Sequence, residues 1–210
     1  MKTRVLAAIR CSVMFTAVTA SLFSVQPAQA FTITLEQMGS NVVANGSGPI
    51  NLTGLIFQGT IPMGLGAAVF ASRGIINTGP TSHPLIDLYA GVTGPTSFGS
   101  GVGVTADTGS GDFVVMQGFQ NLLAVPEGYL SGQALSDSMT FNNETLASLG
   151  VTPGTYEWTW GTGLPNQNFT LIIGGAGVPD GGSTVSLLGF GLLGLVALRR
   201  KLPLLRGRNS

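Results

Sequence analysis

The sequence predicts an all-β fold: an antiparallel β-sandwich of about eight to ten strands, jelly-roll or Ig-like in type, flanked by two segments that are not part of it. Three observations lead there. Stretches such as Phe31-Thr32-Ile33-Thr34-Leu35 alternate apolar and polar side chains, the two-residue period of a half-buried strand. Glycine is abundant, at 32 of 210 residues, and falls mostly between those stretches, where turns belong. The apolar fraction of 44% beside only 9% charged residues is too high for a disordered chain.

The chain opens with Lys2, Arg4 and Arg10, then a small apolar run from Cys11 to Val25, then Ala28-Gln29-Ala30. A positive region, an apolar core and an A-x-A site make a secretory signal peptide over residues 1–30, cleaved at Ala28 and Ala30 so that the mature chain starts at Phe31. Cys11 is the only cysteine. The mature body therefore has no thiol and no disulfide, although export would permit one.

The body, 31–177, has the length of one domain. Phe31, Ile33 and Leu35 share one face of the first strand. Asn41 to Ala44 is a second strand, ended by the turn signal Asn45-Gly46-Ser47-Gly48-Pro49. Ile50 to Gln58 reads as a third, with Gly54 as a bulge, followed by a loop from Gly59 to Gly66. Leu85 to Gly91 alternates as a strand. Gly94 to Gly111 reads mostly as loop, with a short strand at Val102 to Val104. Asp112 to Met116, Asn121 to Val125, and Tyr129 to Leu135 running on to Phe141 read as further strands. Asn143 to Gly150 suggests one or two helical turns, capped by Asn142 or Asn143 and stopped by Gly150. Pro153-Gly154 fits the centre of a type II turn. Thr155 to Trp160 is the clearest strand and pairs with Asn168 to Ile173.

Little chemistry is offered. His83 is the only histidine and sits in a loop between Ser82 and Pro84, which removes catalytic triads and His-rich metal sites. No G-x-S-x-G elbow occurs. Asp107 and Asp112 bracket a Gly-rich stretch, the weak candidates for a calcium site; a solvated turn is the preferred reading, so no metal and no cofactor is expected. Tyr156, Trp158 and Trp160 share one strand face. Exposed, such a row stacks on sugar rings; buried, it is core, and the wet look of Glu157 and Thr159 opposite favours core. Four Asn-x-Ser/Thr sequons begin at Asn45, Asn51, Asn143 and Asn168 and read as coincidences of composition. Eight acids against one base, Arg73, leave the body at −7. That balance argues against nucleic acid, which needs clustered cations.

The last thirty residues are different. Val178-Pro179-Asp180-Gly181-Gly182 precedes an apolar run, Val185 to Leu198, and Arg199, Arg200 and Lys201 follow. Residues 181–198 carry no charge; as a helix they span about 27 Å, close to the roughly 30 Å hydrocarbon core. The basic stop then stays cytoplasmic and the body lies outside the inner membrane. Gly189-Phe190-Gly191-Leu192-Leu193-Gly194 matches the dinucleotide fingerprint in letters, but no βαβ unit follows it.

Motif, apolar run and basic end together resemble a PEP-CTERM sorting tail of the Val-Pro-Asp-Ser-Gly (VPDSG-CTERM) variant, with Gly181 where that variant has Ser. The resemblance implies recognition by an exosortase, a membrane transpeptidase-like enzyme, cleavage near the motif, and release toward the cell surface or an exopolysaccharide matrix. The segments from Val125-Pro126-Glu127-Gly128-Tyr129 to Leu149-Gly150-Val151-Thr152-Pro153-Gly154-Thr155-Tyr156-Glu157-Trp158-Thr159-Trp160 resemble a family of exported proteins with such tails, which brings no catalytic residues. The expected protein is thus a non-enzymatic surface or matrix-associated one. Its partners are the general secretion machinery, the sorting enzyme, the inner membrane before processing, and exopolysaccharide as a candidate. Two alternatives stand beside it: a carbohydrate-binding module using Trp158 and Trp160, and a calcium-assisted hydrolase.

Overall fold

The computed structural model describes residues 30–174. The signal peptide up to Gln29, the sorting motif Val178 to Gly182, the apolar run and the basic stop lie outside the described residues. Among the described residues thirteen strands are formed: β1 (Thr32–Met38), β2 (Asn41–Pro49), β3 (Ile56–Pro62), β4 (Ala68–Phe70), β5 (Ile75–Thr78), β6 (Leu85–Ala90), β7 (Val104–Thr105), β8 (Thr108–Gly111), β9 (Val114–Gln117), β10 (Leu122–Pro126), β11 (Ala134–Phe141), β12 (Gly154–Thr159) and β13 (Asn168–Ile173). Among the described residues no helix is long and apolar enough to cross a membrane.

The strands make two sheets. One runs β12-β13-β1-β2-β11-β8, the other β3-β6-β10-β9-β5-β4-β7. The all-β expectation holds, but the purely antiparallel one does not. β1 pairs with β13 in parallel, Thr32 opposite Thr170 and Leu35 opposite Ile173. A parallel pair needs a long crossover, and here nearly the whole body lies between the two strands.

One face of each sheet meets in a single core. Phe31, Ile33, Leu35, Val42, Ala44, Met139, Phe141, Trp158, Phe169 and Leu171 come from the six-stranded sheet and its edges; Val69, Ile76, Val114, Met116, Leu123 and Val125 come from the other. A smaller cluster of Ile86, Phe113, Val115 and Ala124 covers the far face of the seven-stranded sheet, with Met63 and Leu88 packed against it.

Several local expectations are corrected. The predicted turn from Asn45 to Pro49 is the second half of β2. Its glycine serves packing: a Cβ on Gly46 would lie 2.5 Å from Asp137 Oδ1 and 2.8 Å from the Phe31 ring, the close approach for which glycine appears inside strands. The third strand begins at Ile56 rather than Ile50, and its bulge falls between Phe57 and Gly59 rather than at Gly54. The predicted loop at Gly59 to Gly66 therefore starts as strand. The predicted loop at Gly94 to Gly111 contains β7 and β8. Pro153-Gly154 makes no turn, because Gly154 already pairs with Ile173.

Of the one or two helical turns expected at Asn143 to Gly150, one forms, closed by the Leu149 N–H on the Thr145 carbonyl at 3.0 Å, and its cap is Thr145 rather than Asn142 or Asn143. The Ser148 N–H donates to Thr145 Oγ1 at 3.0 Å and the Thr145 N–H to Ser148 Oγ at 2.7 Å, a reciprocal capping pair. Gly150 ends the turn at φ +64°. Its N–H reaches the Ala147 carbonyl and the Val151 N–H that of Leu146, the Schellman pattern.

Candidate functional site

Two of the three aromatics of the row, Trp158 and Trp160, are buried, and Tyr156 is half-buried. Trp158 has no exposed surface and Trp160 only 5%, so neither indole is available for stacking on a sugar ring. Both polar ends are satisfied, as buried indoles require. Trp158 Nε1 donates to the Pro95 carbonyl at 2.8 Å and Trp160 Nε1 to that of Asn51 at 2.7 Å. Trp158 meets Phe169 and Phe98 edge to face, with centroids 5.7 and 6.4 Å apart. A Cβ on Gly94 would sit 2.5 Å from the Trp158 ring. The row ties the β12–β13 hairpin to the loops at 51–55 and 93–99.

Asp107 and Asp112 are not brought together. They flank β8, five residues apart along an extended strand, roughly 16 Å at the usual rise. Each caps the pairing of β8 with β11: Asp107 Oδ2 accepts the Asn142 N–H at 2.7 Å and Asp112 Oδ2 the Ser136 N–H at 2.8 Å. Among the described residues no three Asp, Glu, His or Cys side chains cluster as metal ligands would. His83 is exposed in the loop before β6.

Grooves open on the described part of the body, two of them of note. One, of about 640 Å³, lies against Thr93, Thr159, Trp160, Leu164 and Asn168. The other, about 510 Å³, lies on the outer face of the six-stranded sheet against Thr32, Thr34, Asn45, Ser47 and Ile172. Neither is lined by an acid, a base or a thiol.

Among the described residues the strongly perturbed group is Asp137 on β11, which the sequence alone did not single out. It occupies a core position, between Leu135 and Met139 in the alternation of the strand, and is 6% exposed. Thr78 Oγ1 donates to its Oδ2 at 2.8 Å from the opposite sheet. Its Oδ1 has no hydrogen-bond partner. Burial pushes the carboxyl up to about 7; the Thr78 hydroxyl opposes that shift, Asp112 adds to it, and the facing Gly46 amide opposes it weakly. The signal that could have found it is the alternation itself: an Asp at a core position of an otherwise regular strand.

Tyr129 has a similarly structural role. The Pro126-Glu127-Gly128-Tyr129 turn closes with the Tyr129 N–H on the Pro126 carbonyl. The Tyr129 hydroxyl accepts the Ile50 N–H at 2.9 Å and donates to the Gln133 carbonyl at 2.6 Å.

Among the described residues no three Asp, Glu, His or Cys side chains gather, and the segment that a family model recognises follows them. Residues 177–202 match the family described as VPDSG-CTERM motif. The chain carries a PEP-CTERM-type exosortase sorting signal. The matched VPDSG-CTERM segment includes the sorting motif from Val178 to Gly182, the apolar run, and the basic stop Arg199, Arg200 and Lys201. Such a signal implies processing by an exosortase-type enzyme and export to the cell surface. No curated protein and no solved structure matches the chain.

Proposed function

We propose that this is a non-enzymatic exported protein whose β-sandwich body is delivered to the cell surface or extracellular matrix by an exosortase-type enzyme. The observation that carries the reading is the VPDSG-CTERM match over residues 177–202. The steps follow from the physical chemistry of the tail. A signal peptide ending at Ala30 starts export. The apolar run enters the inner membrane, and the cations at 199–201 hold its end on the cytoplasmic side. The Val178-Pro179-Asp180-Gly181-Gly182 peptide, which cannot continue a helix, is presented on the outer side for cleavage.

Two features of the body support a structural rather than catalytic role. The two grooves described above are lined without titratable side chains, and Trp158 and Trp160 fill the core. The test is to remove Val178 to Ser210 and fractionate the cells. The truncated protein should leave the fraction occupied by the full chain, and the mass of the mature full-length protein should place its C-terminus near the motif. Retention of the truncated protein in the original fraction overturns the reading.

A further inference from the structure

Only a short stretch of chain separates the folded body from the sorting motif. β13 is an interior strand, flanked by β12 and β1, and Phe169, Leu171 and Ile173 are buried in the core. Gly174 is still held: its N–H donates to the Leu35 carbonyl at 2.9 Å, and a Cβ there would lie 3.0 Å from Pro153 Cβ. Only Gly175, Ala176 and Gly177 separate it from Val178. A residue spans at most about 3.6 Å, so Val178 lies within about 14 Å of Gly174. A body of this length has a radius of gyration of about 15 Å. The leash is therefore shorter than the body is wide, and the body cannot swing clear of whatever grips the motif.

The parallel pairing of β1 and β13 decides which surface is presented. The chain leaves beside Leu35, at the end of the six-stranded sheet that carries the β1–β2 turn at Gly39 and Ser40 and the segment 142–153. That end is ordered in advance. Gln37 Nε2 donates to the Gly39, Asn41 and Glu144 carbonyls, and Gln37 Oε1 accepts the Leu146 N–H at 3.1 Å. Asn41 Oδ1 accepts the Asn143 N–H at 3.0 Å. The Glu144 carboxylate is engaged by the Ser148 hydroxyl. Met38 projects from the same turn, 58% exposed. Ser131 and Gly132, which lead into β11, lie at the opposite end, where Gly132 bonds to Ile50.

We propose that this exit end, formed by the Met38–Ser40 turn and the segment 142–153, is the surface that meets the membrane-embedded sorting enzyme while the tail is cut. The inference rests on the sorting reading above and adds to it a face and a distance. The partner has to accept a rigid, hydrogen-bonded protein end within about 14 Å of the scissile peptide.

The test follows conversion of precursor to processed protein by pulse-chase and intact mass in cells that sort the native chain. A small folded domain inserted between Gly39 and Ser40 should slow conversion at least about tenfold. The same domain between Ser131 and Gly132 should leave it within about twofold. Adding twelve Gly/Ser residues between Gly175 and Ala176, roughly 19 Å of flexible reach, should restore the rate of the first variant. Deleting Gly175 to Gly177, which leaves every strand intact, should slow conversion as strongly as the near-end insertion and covers the case in which that insertion impairs folding. Equal rates for near-end and far-end insertions, or an undiminished rate after the deletion, overturn the inference. Deleting Val178 to Gly182 separates the two readings: conversion that survives it defeats the sorting reading itself, whereas the insertions bear on the exit face alone.

Discussion

The two halves of the shared core bury polar atoms in opposite ways. Under β12 and β13, Trp158 and Trp160 are sealed among Phe98, Phe169 and Tyr156, and each indole N–H has a carbonyl at 2.8 Å or less. Between β2, β11 and β5, Asp137 is sealed almost as well, yet one carboxylate oxygen has no partner. An indole loses little on burial once its single donor is matched. A carboxylate presents two oxygens and a charge, and one hydroxyl from Thr78 does not compensate for the lost water. The first half therefore contributes stability through groups that do not titrate, whereas the second should make stability depend on pH.

The largest effect is expected at Trp158. Trp158→Ala should lower the stability of the body by about 3–5 kcal/mol, from the cavity and the orphaned Pro95 carbonyl together, read as a fall in the denaturant midpoint.

Asp137 should give the next largest effect. The folded state keeps its proton up to about pH 7, while an exposed carboxyl releases it near 3.8. Between those values the folded state binds more protons, so this contribution is complete below about pH 4 and is lost as pH rises to 7. Its size is on the order of a few kcal/mol. Asp137→Asn keeps an acceptor for Thr78 and removes the charge. It should raise stability at pH 8 by about 1–3 kcal/mol and flatten the decline between pH 4 and 7 seen in urea titrations of the parent. An unchanged pH profile would mean that Asp137 is not the group responsible.

Trp160→Phe leaves most of the packing and removes one hydrogen bond, so about 1 kcal/mol should be lost, with the Asn51 amide and carbonyl region shifting in NMR spectra. The smallest expected effect comes from the turns beneath the core. The β4–β5 and β9–β10 hairpins use the same three-residue 3-10 connection, closed by Gly74 in one and Asn121 in the other, both at φ 59°. Asn121→Gly should change stability by no more than about 1 kcal/mol, because Asn tolerates this region. Gly74→Asn should cost more, since a Cβ there would come within 3.1 Å of the Pro95 and Thr96 backbone. Thermal melts of the pair decide it.

What could be read from the chain was whatever is local. Phe31 to Leu35, Thr155 to Trp160 and Asn168 to Ile173 were legible as strands because alternation needs no knowledge of neighbours. The tail was legible because a sorting signal is a linear address. Gly46 misled, since an Asn-Gly-Ser-Gly-Pro run has turn chemistry and its real reason, room for Asp137 and Phe31, lies 91 residues ahead and 15 behind. β8 was hidden because Thr108 to Gly111 has no apolar alternation; its pairing comes from β11 and from the two aspartates that cap it. The Asn143 to Gly150 turn was placed correctly at its Gly end and wrongly at its start, where Thr145 outcompetes both asparagines. The parallel register of β1 and β13 leaves no trace in composition or period.

That register has a practical consequence for anyone handling the protein. Thr32 lies opposite Thr170 and Ile173 opposite Leu35, so the chain enters and leaves the body at staggered ends of two parallel neighbours, about three residue steps or roughly 10 Å apart along the strands. The two-residue turn that suffices for an antiparallel hairpin will not join them. Circular permutation would call for a linker of about five residues, laid alongside the strands.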